Sequence, residues 1–318
     1  MLVTVYSAIA GKALAYQSAP GSGAYLWAAT VGCRVPRMDC KGRVEAVFDH
    51  ACNVALDNGG LVTVLAHHAG SVVHGIRLLR NQWFDRRLRP GVPVRLGADR
   101  VIFDSGAVTV MLSAAAGWTP GFGPGMCDWS ARSRGAALLA RELLCDHAER
   151  CSSDFLATVL RLEHRVTPLA RRVSAIIPRL ALAARTRDAD DALHLLAQLV
   201  GLGPGLTPAG DDFMIGWLAG LTLLAQSPAQ VEFLRAMCDG IGSLKHATTS
   251  VSAQQLDDAC AMMFSERLAD VCMAIAAGEP KGTLGLRLAA QLAVGASSGA
   301  DAAAGLMFAL FDCGPAVR

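Results

Sequence analysis

The stretch that decides the reading of this chain is Leu199-Val-Gly-Leu-Gly-Pro-Gly-Leu-Thr-Pro-Ala-Gly-Asp-Asp-Phe-Met-Ile-Gly-Trp-Leu-Ala-Gly-Leu221. Glycines and prolines crowd its first half, two adjacent carboxylates follow, and an apolar run closes it. Gly201, Gly203, Gly205 and Gly210 let the backbone turn tightly and let a ligand approach the main chain. Thr207 is placed to cap a helix, and Pro208 suits a first turn, where a missing N–H costs nothing. Residues 213–225 are apolar on nearly every face, which predicts a buried helix. A buried helix start leaves orphan N–H groups, for which a phosphate or carboxylate is a natural partner. Asp211 and Asp212 fall in that first turn, where the helix dipole favours negative charge by about 0.3–1 kcal/mol.

The same grammar returns near the C-terminus. Gly210-x-Asp212-x3-Gly216-x-Leu218-x2-Leu221 matches Gly299-x-Asp301-x3-Gly305-x-Met307-x2-Leu310, 89 residues on. An aspartate and a glycine four apart share one helical face. The glycine there admits a close neighbour. Two buried helices are thus expected, each presenting an aspartate from its first turn. A buried carboxylate is costly unless paired, hydrogen-bonded or metal-bound. The repetition therefore points to a site, with Asp211, Asp212 and Asp301 as its catalytic candidates. The plainer reading is a duplicated helix start with structural aspartates.

Composition sets the limits. The 318 residues are enough for one large or two ordinary domains. Apolar content is 53% and mean hydropathy is +0.36, yet the longest apolar run, 213–225, is too short for a membrane span. The start, residues 1–17, lacks a basic leader and carries Lys12, so no signal peptide is expected. A net charge of +2 implies neither nucleic acid nor anionic membrane as partner. The ten cysteines form no C-x-x-C pair, which fits reduced thiols in the cytoplasm. Cys145-x-His147-x3-Cys151 has a metal-like composition. Cys145 and His147 would face different ways on a helix, and no second cluster follows, so no zinc is assigned.

Along the chain the first third reads as β-rich. Residues 61–66 and 92–96 read as strands, and 101–103 and 108–112 flank a hairpin at Asp104-Ser-Gly106. Residues 44–56 read as a helix before the Asp57-Asn-Gly-Gly60 turn. His67, His68 and His74 follow a strand end; adjacent histidines on a strand point to opposite faces, which argues against a shared metal. The arginines from Arg77 to Arg100 read as a solvated edge. A Gly/Pro-rich segment, 117–125, marks a boundary. From about residue 131 the pattern is helical: 134–150, 154–164, 166–185, 189–200, 211–226, 228–243, 253–264, 266–277, 283–295 and 301–311. The expected class is α+β: a small β-rich N-terminal domain (1–125), then a larger, mostly helical C-terminal domain (126–318) carrying the Gly-rich loop and the paired aspartate motifs.

A polar cluster, Lys245-His-Ala-Thr-Thr-Ser-Val-Ser252, lies between the two aspartate motifs. Ser252 or Ser250 can cap a helix starting near Ala253. The functional alternative makes Thr248, Thr249 and Ser250 hydroxyl donors to an anion, with Lys245 adding charge.

The run 201–220, the Thr248-Thr-Ser250 segment and Ser297-Ser-Gly-Ala-Asp301 together resemble the AllH-like family, named for a subunit of bacterial oxamate carbamoyltransferase. The resemblance covers about residues 190–312. It implies a soluble enzyme subunit of allantoin or purine nitrogen catabolism that works with partner polypeptides. The implied reaction is carbamoyl transfer between carbamoyl phosphate and oxamate, with oxalurate as the other partner.

Such chemistry needs a phosphate cradle and donors for developing oxyanion charge. Gly203, Gly205, Leu206, Thr207 and Gly210 can supply backbone groups. Thr248, Thr249, Ser250, Ser297 and Ser298 can supply hydroxyls, with Gly299 at the second helix start. Asp212 or Asp301 can orient or deprotonate the attacking amide nitrogen. No cofactor is required, although Asp212 and Asp301 also offer the oxygens that Mg²⁺ prefers. Two other classes use the same residues: a scaffold subunit that binds no carbamoyl phosphate, and an amide or ureide hydrolase using paired carboxylates and water. Serine hydrolysis is disfavoured, because no G-x-S-x-G elbow is present.

Overall fold

The computed structural model describes residues 24–80, 88–148, 153–162 and 167–313. The N-terminal start, Cys151 and part of the arginine-rich segment, all read above from sequence, lie outside the described residues. The chain forms two compact units, one of residues 1–69 and 74–117, the other of 70–73 and 118–318.

The first unit is a closed barrel. Its strands are β1 (Ala24–Gly32), β2 (Cys40–Val47), β3 (Ala51–Leu56), β4 (Leu61–Leu65), β5 (Gly75–Leu78), β6 (Pro93–Leu96), β7 (Arg100–Phe103), β8 (Val108–Met111) and β9 (Ala116–Trp118). The order is β5-β4-β3-β2-β6-β7-β8-β1-β9, and β5 also pairs with β1, which closes the ring. β1–β8 and β4–β5 are parallel. The core is mostly aliphatic, with Val31, Val44, Val54, Val64, Ile76, Val94 and Val110 buried together with the ring of Phe103. β7 and β8 form the expected hairpin, paired from Arg100↔Met111 to Phe103↔Val108.

Two expectations are corrected here. Residues 44–56 are not a helix but the paired strands β2 and β3, in register Val44↔Val54 and Val47↔Cys52. Val44 is buried between exposed Arg43 and Glu45, a period of two that sheet pairing enforces over local helix propensity. His67 and His68 do follow a strand end, but the opposed faces of a strand do not apply to them. They occupy the turn after β4, and their Nδ1 atoms approach to 3.4 Å.

The second unit is helical: α1 (Ala131–Ala148), α2 (Asp154–Leu160), α3 (Pro168–Thr186), α4 (Ala189–Leu196), α5 (Ala209–Leu224), α6 (Pro228–Leu244), α7 (Ser250–Cys260), α8 (Glu266–Ala277), α9 (Lys281–Leu292) and α10 (Ser298–Phe308), with a π turn over Ala309–Cys313. α5 and α10 form its most extensive helix pair, and both are buried on almost every side. Among the described residues, no helix is long and apolar enough to cross a membrane.

The repeated motif dictates how α5 and α10 meet. A Cβ on Gly216 would stand 1.8 Å from the carbonyl oxygen of Ala302, and one on Gly305 would stand 1.9 Å from that of Phe213. Phe213 and Ala302 are themselves equivalent under the 89-residue repeat. The two helices therefore cross about a local two-fold, each glycine receiving the partner's backbone. Aromatic rings seal the crossing: Phe213 lies 4.9 Å from Phe155 and 5.4 Å from Phe308, centroid to centroid.

Candidate functional site

The heads of α5 and α10 carry the aspartates. Ahead of α5, the Gly-rich loop turns through positive φ at Gly201, Gly203 and Gly205. At Gly203 (φ +118°) a Cβ would also come within 2.8 Å of the Ala209 amide nitrogen, so only glycine fits. Pro208 occupies the N-cap of α5 and Ser297 that of α10, and neither makes a side-chain cap bond. Thr207 is therefore not the cap. Its hydroxyl lies 2.9 Å from that of Ser298, which ties the two helix starts together.

The adjacent carboxylates of α5 have different surroundings. Asp211 is fully buried. Its Oδ1 accepts from the Gly201 amide at 2.9 Å. Its Oδ2 accepts from the Thr248 hydroxyl and, at 2.7 Å, from Ser252. Asp211 thus clamps the Gly-rich loop to the Thr248-Thr-Ser segment. Asp212 is also buried, but its Oδ2 has no partner among the described residues. Burial pushes its carboxyl up to about 8. The Ser298 hydroxyl opposes that rise, the charges of Asp301 and Asp211 add to it, and Thr207 opposes it again.

Asp301 mirrors Asp212. It is 1% exposed, and its Oδ1 accepts from the Ser153 hydroxyl at 2.5 Å. Its Oδ2 has no partner among the described residues. Burial raises its carboxyl to about 6, against the pull of Ser153 and Ser297 and with a small push from Asp154.

The hydroxyl segment is arranged differently from its sequence reading. α7 starts at Ser250, and Thr249 is its cap, accepting from the Ser252 amide at 3.1 Å. Neither Ser252 nor Ser250 caps it. The Thr249 hydroxyl donates to the Leu206 carbonyl, which holds the exposed Leu206 turn. Ser250 is exposed at the head of α7. Lys245 is paired with Asp257 at 2.7 Å.

A family model described as oxamate carbamoyltransferase subunit AllH matches residues 199–310. A second, described as the AllH family N-terminal domain, matches residues 27–117. The chain belongs to the AllH family. Comparison with curated proteins and with solved structures returns no match. The first AllH match takes in the Gly-rich loop, the Asp211 clamp and both helix starts. The second takes in nearly all of the barrel.

Ser153 lies outside both matches, and sequence reading did not single it out as a site residue. Its local signal was a serine and an acid just before an apolar helix, the mark of an N-cap. It does cap α2, accepting from the Leu156 amide at 2.9 Å while donating to Asp301. Gln291, also missed, is 3% exposed and donates through Nε2 to the Gly299 carbonyl at 3.1 Å. Among the described residues, no group of three or more His, Cys, Asp or Glu is arranged to hold a metal.

Proposed function

We propose that the heads of α5 and α10 form a carbamoyl-transfer site, which this chain contributes to an oxamate carbamoyltransferase assembly with partner subunits. One observation carries the reading: Asp212 and Asp301, equivalent under the internal repeat, are both buried with one carboxylate oxygen unpartnered among the described residues. Packing alone gives no reason to retain two such groups, each of which opposes folding.

Their proton affinities suit the chemistry. With values of about 8 and about 6, Asp212 is neutral and Asp301 ionised at pH 7. A carboxyl pair split in this way can serve as acid and base. The amide nitrogen of oxamate attacks the carbamoyl carbon, forming C–N as the bond to the phosphate oxygen breaks. The phosphate leaves with the bonding electrons. Asp301 takes the proton released from nitrogen, and Asp212 donates to oxygen charge developing at the reacting centre. Backbone amides of Gly203, Gly205, Leu206 and Thr207, with the hydroxyls of Ser297, Ser298 and Ser250, receive the anionic groups. Gly210 and Gly299 let the two helix starts pack closely against the backbone carbonyls of Leu199 and Gln291 respectively. Asp211, Thr248 and Thr249 act as positioning residues, since their polar atoms already hold the loop.

In this reading the substrates are carbamoyl phosphate and an oxamate-like acid, consumed in allantoin or purine nitrogen breakdown in the cytoplasm. Magnesium is an option: two carboxylate oxygens suit it, with substrate and water completing the shell.

Thermal stability of the chain and of its assembly tests this, with carbamoyl phosphate, phosphate, oxamate or oxalurate, each with and without Mg²⁺. Saturation at a hundred times Kd adds about 2.7 kcal/mol, a rise of several degrees. Carbamoyl phosphate is expected to give that rise, and Asp212→Asn to abolish it. No shift in either the chain or the assembly contradicts the proposal.

A further inference from the structure

The atoms left without partners at the heads of α5 and α10 share one chemical character. Asp212 Oδ2, Asp301 Oδ2 and Gln291 Oε1 are all buried oxygens. Gln291 sits on the last turn of α9, folded against the start of α10. Its Nε2 donates to the Gly299 carbonyl, two residues before Asp301. That bond fixes which way the amide faces, so the atom left over is its acceptor. Asp301 is in the same position: the Ser153 hydroxyl occupies Oδ1 and leaves Oδ2. Hydroxyls already serve the two carboxylates, Ser298 and Thr207 at Asp212 and Ser153 and Ser297 at Asp301. The oxygens left over beyond these hydroxyls call for further donors, which N–H groups supply.

We propose that Gln291 Oε1 and Asp301 Oδ2 receive the N–H groups of a primary amide or ureide substrate, which makes Gln291 a specificity residue of the transfer site. The assignment rests on the carbamoyl-transfer reading of that site. It divides the substrate between two surroundings. The nitrogen end meets the buried acceptors, and the anionic end meets the Gly-rich loop and the exposed hydroxyls. A site with unpaired buried acceptors rejects analogues that cannot fill them, because a bound analogue leaves those acceptors sealed from water and unpaired. A methyl group or an oxygen in place of the amide nitrogen therefore loses binding.

Calorimetric titration tests this, using the full chain and its assembly with partner subunits. The probes are oxamate, its methyl isostere pyruvate, its oxygen isostere oxalate, and inorganic phosphate. Oxamate is expected to bind at least about 100-fold more tightly than pyruvate or oxalate, within the range seen when a hydrogen-bonding site meets an isostere. Gln291→Met is expected to bring oxamate down towards pyruvate while pyruvate binding stays the same. A folding defect would weaken both together. Equal binding of oxamate and pyruvate by the native protein overturns the N–H assignment and leaves the transfer site standing, as does a Gln291→Met variant with the native ratio. Binding of none of the four probes by either preparation overturns both.

Discussion

At the scale of single residues, neighbouring carboxylates of one motif do different work. Asp211 gathers three donors from two other segments. Removing it strands the Gly201 amide and the Thr248 and Ser252 hydroxyls inside the protein. Asp211→Ala is accordingly expected to cost about 3 kcal/mol in denaturant unfolding. Asp212 and Asp301 instead oppose the fold when ionised. An unfolded chain releases their protons near pH 4, whereas the native chain holds them to about 8 and about 6. In between, the native state binds more protons than the unfolded state. The stability they contribute is therefore fully present below pH 4 and is lost as pH rises through those values. Each group supplies a slope of at most about 1.4 kcal/mol per pH unit. Unfolding free energies measured from pH 4 to pH 9 should show the decline. Asp212→Asn should halve it between pH 4 and pH 6 and abolish it between pH 6 and pH 8, whereas Asp301→Asn should halve it between pH 4 and pH 6 and leave it unchanged above. An unchanged slope in both variants would mean that these carboxyls are solvated.

At the scale of elements, the two-fold crossing of α5 and α10 rests on glycine. Gly216→Ala or Gly305→Ala drives a methyl group into a backbone carbonyl at under 2 Å. Backbone cannot move aside as a side chain can, so each change should cost about 3 kcal/mol or more. Gly242→Ala in α6 is the control, since its added Cβ meets nothing within 4 Å. That change should stabilise by about 0.5–1 kcal/mol through helix propensity. Equal effects in thermal unfolding would refute the close crossing.

Much of this level was legible in the sequence. The G-x-D-x3-G repeat named both helices, their shared face and the aspartates at their heads. Periodicity located the other helices to within a few residues. The errors have physical causes. Thr207 reads as a cap because its hydroxyl is correctly spaced for one. The Ser298 hydroxyl claims it from 91 residues away. The β2–β3 pair reads as helix because only its barrel neighbours impose the alternating burial.

At the scale of the whole molecule, legibility ends where contacts join distant sequence. The α+β class and the order of its parts follow from composition and pattern. The β1–β5 pairing that closes the barrel does not, because a strand cannot encode which edge it will meet. Ser153 reaches Asp301 across 148 residues, a separation no local motif records. The family matches divide in the same way, one over the barrel and one over the paired helices, and the proposed chemistry lies wholly in the second.

The most direct test of that chemistry is carbamoyl transfer from carbamoyl phosphate to oxamate by the assembled enzyme, comparing native, Asp212→Asn and Asp301→Asn chains of verified thermal stability. Loss of a positioned acid or base typically costs 10²–10⁴-fold. The account predicts a fall of at least about 100-fold in kcat for each variant, with the fold retained. Native turnover in both variants, or a loss matching only the fraction unfolded, would contradict it and make the two aspartates packing devices.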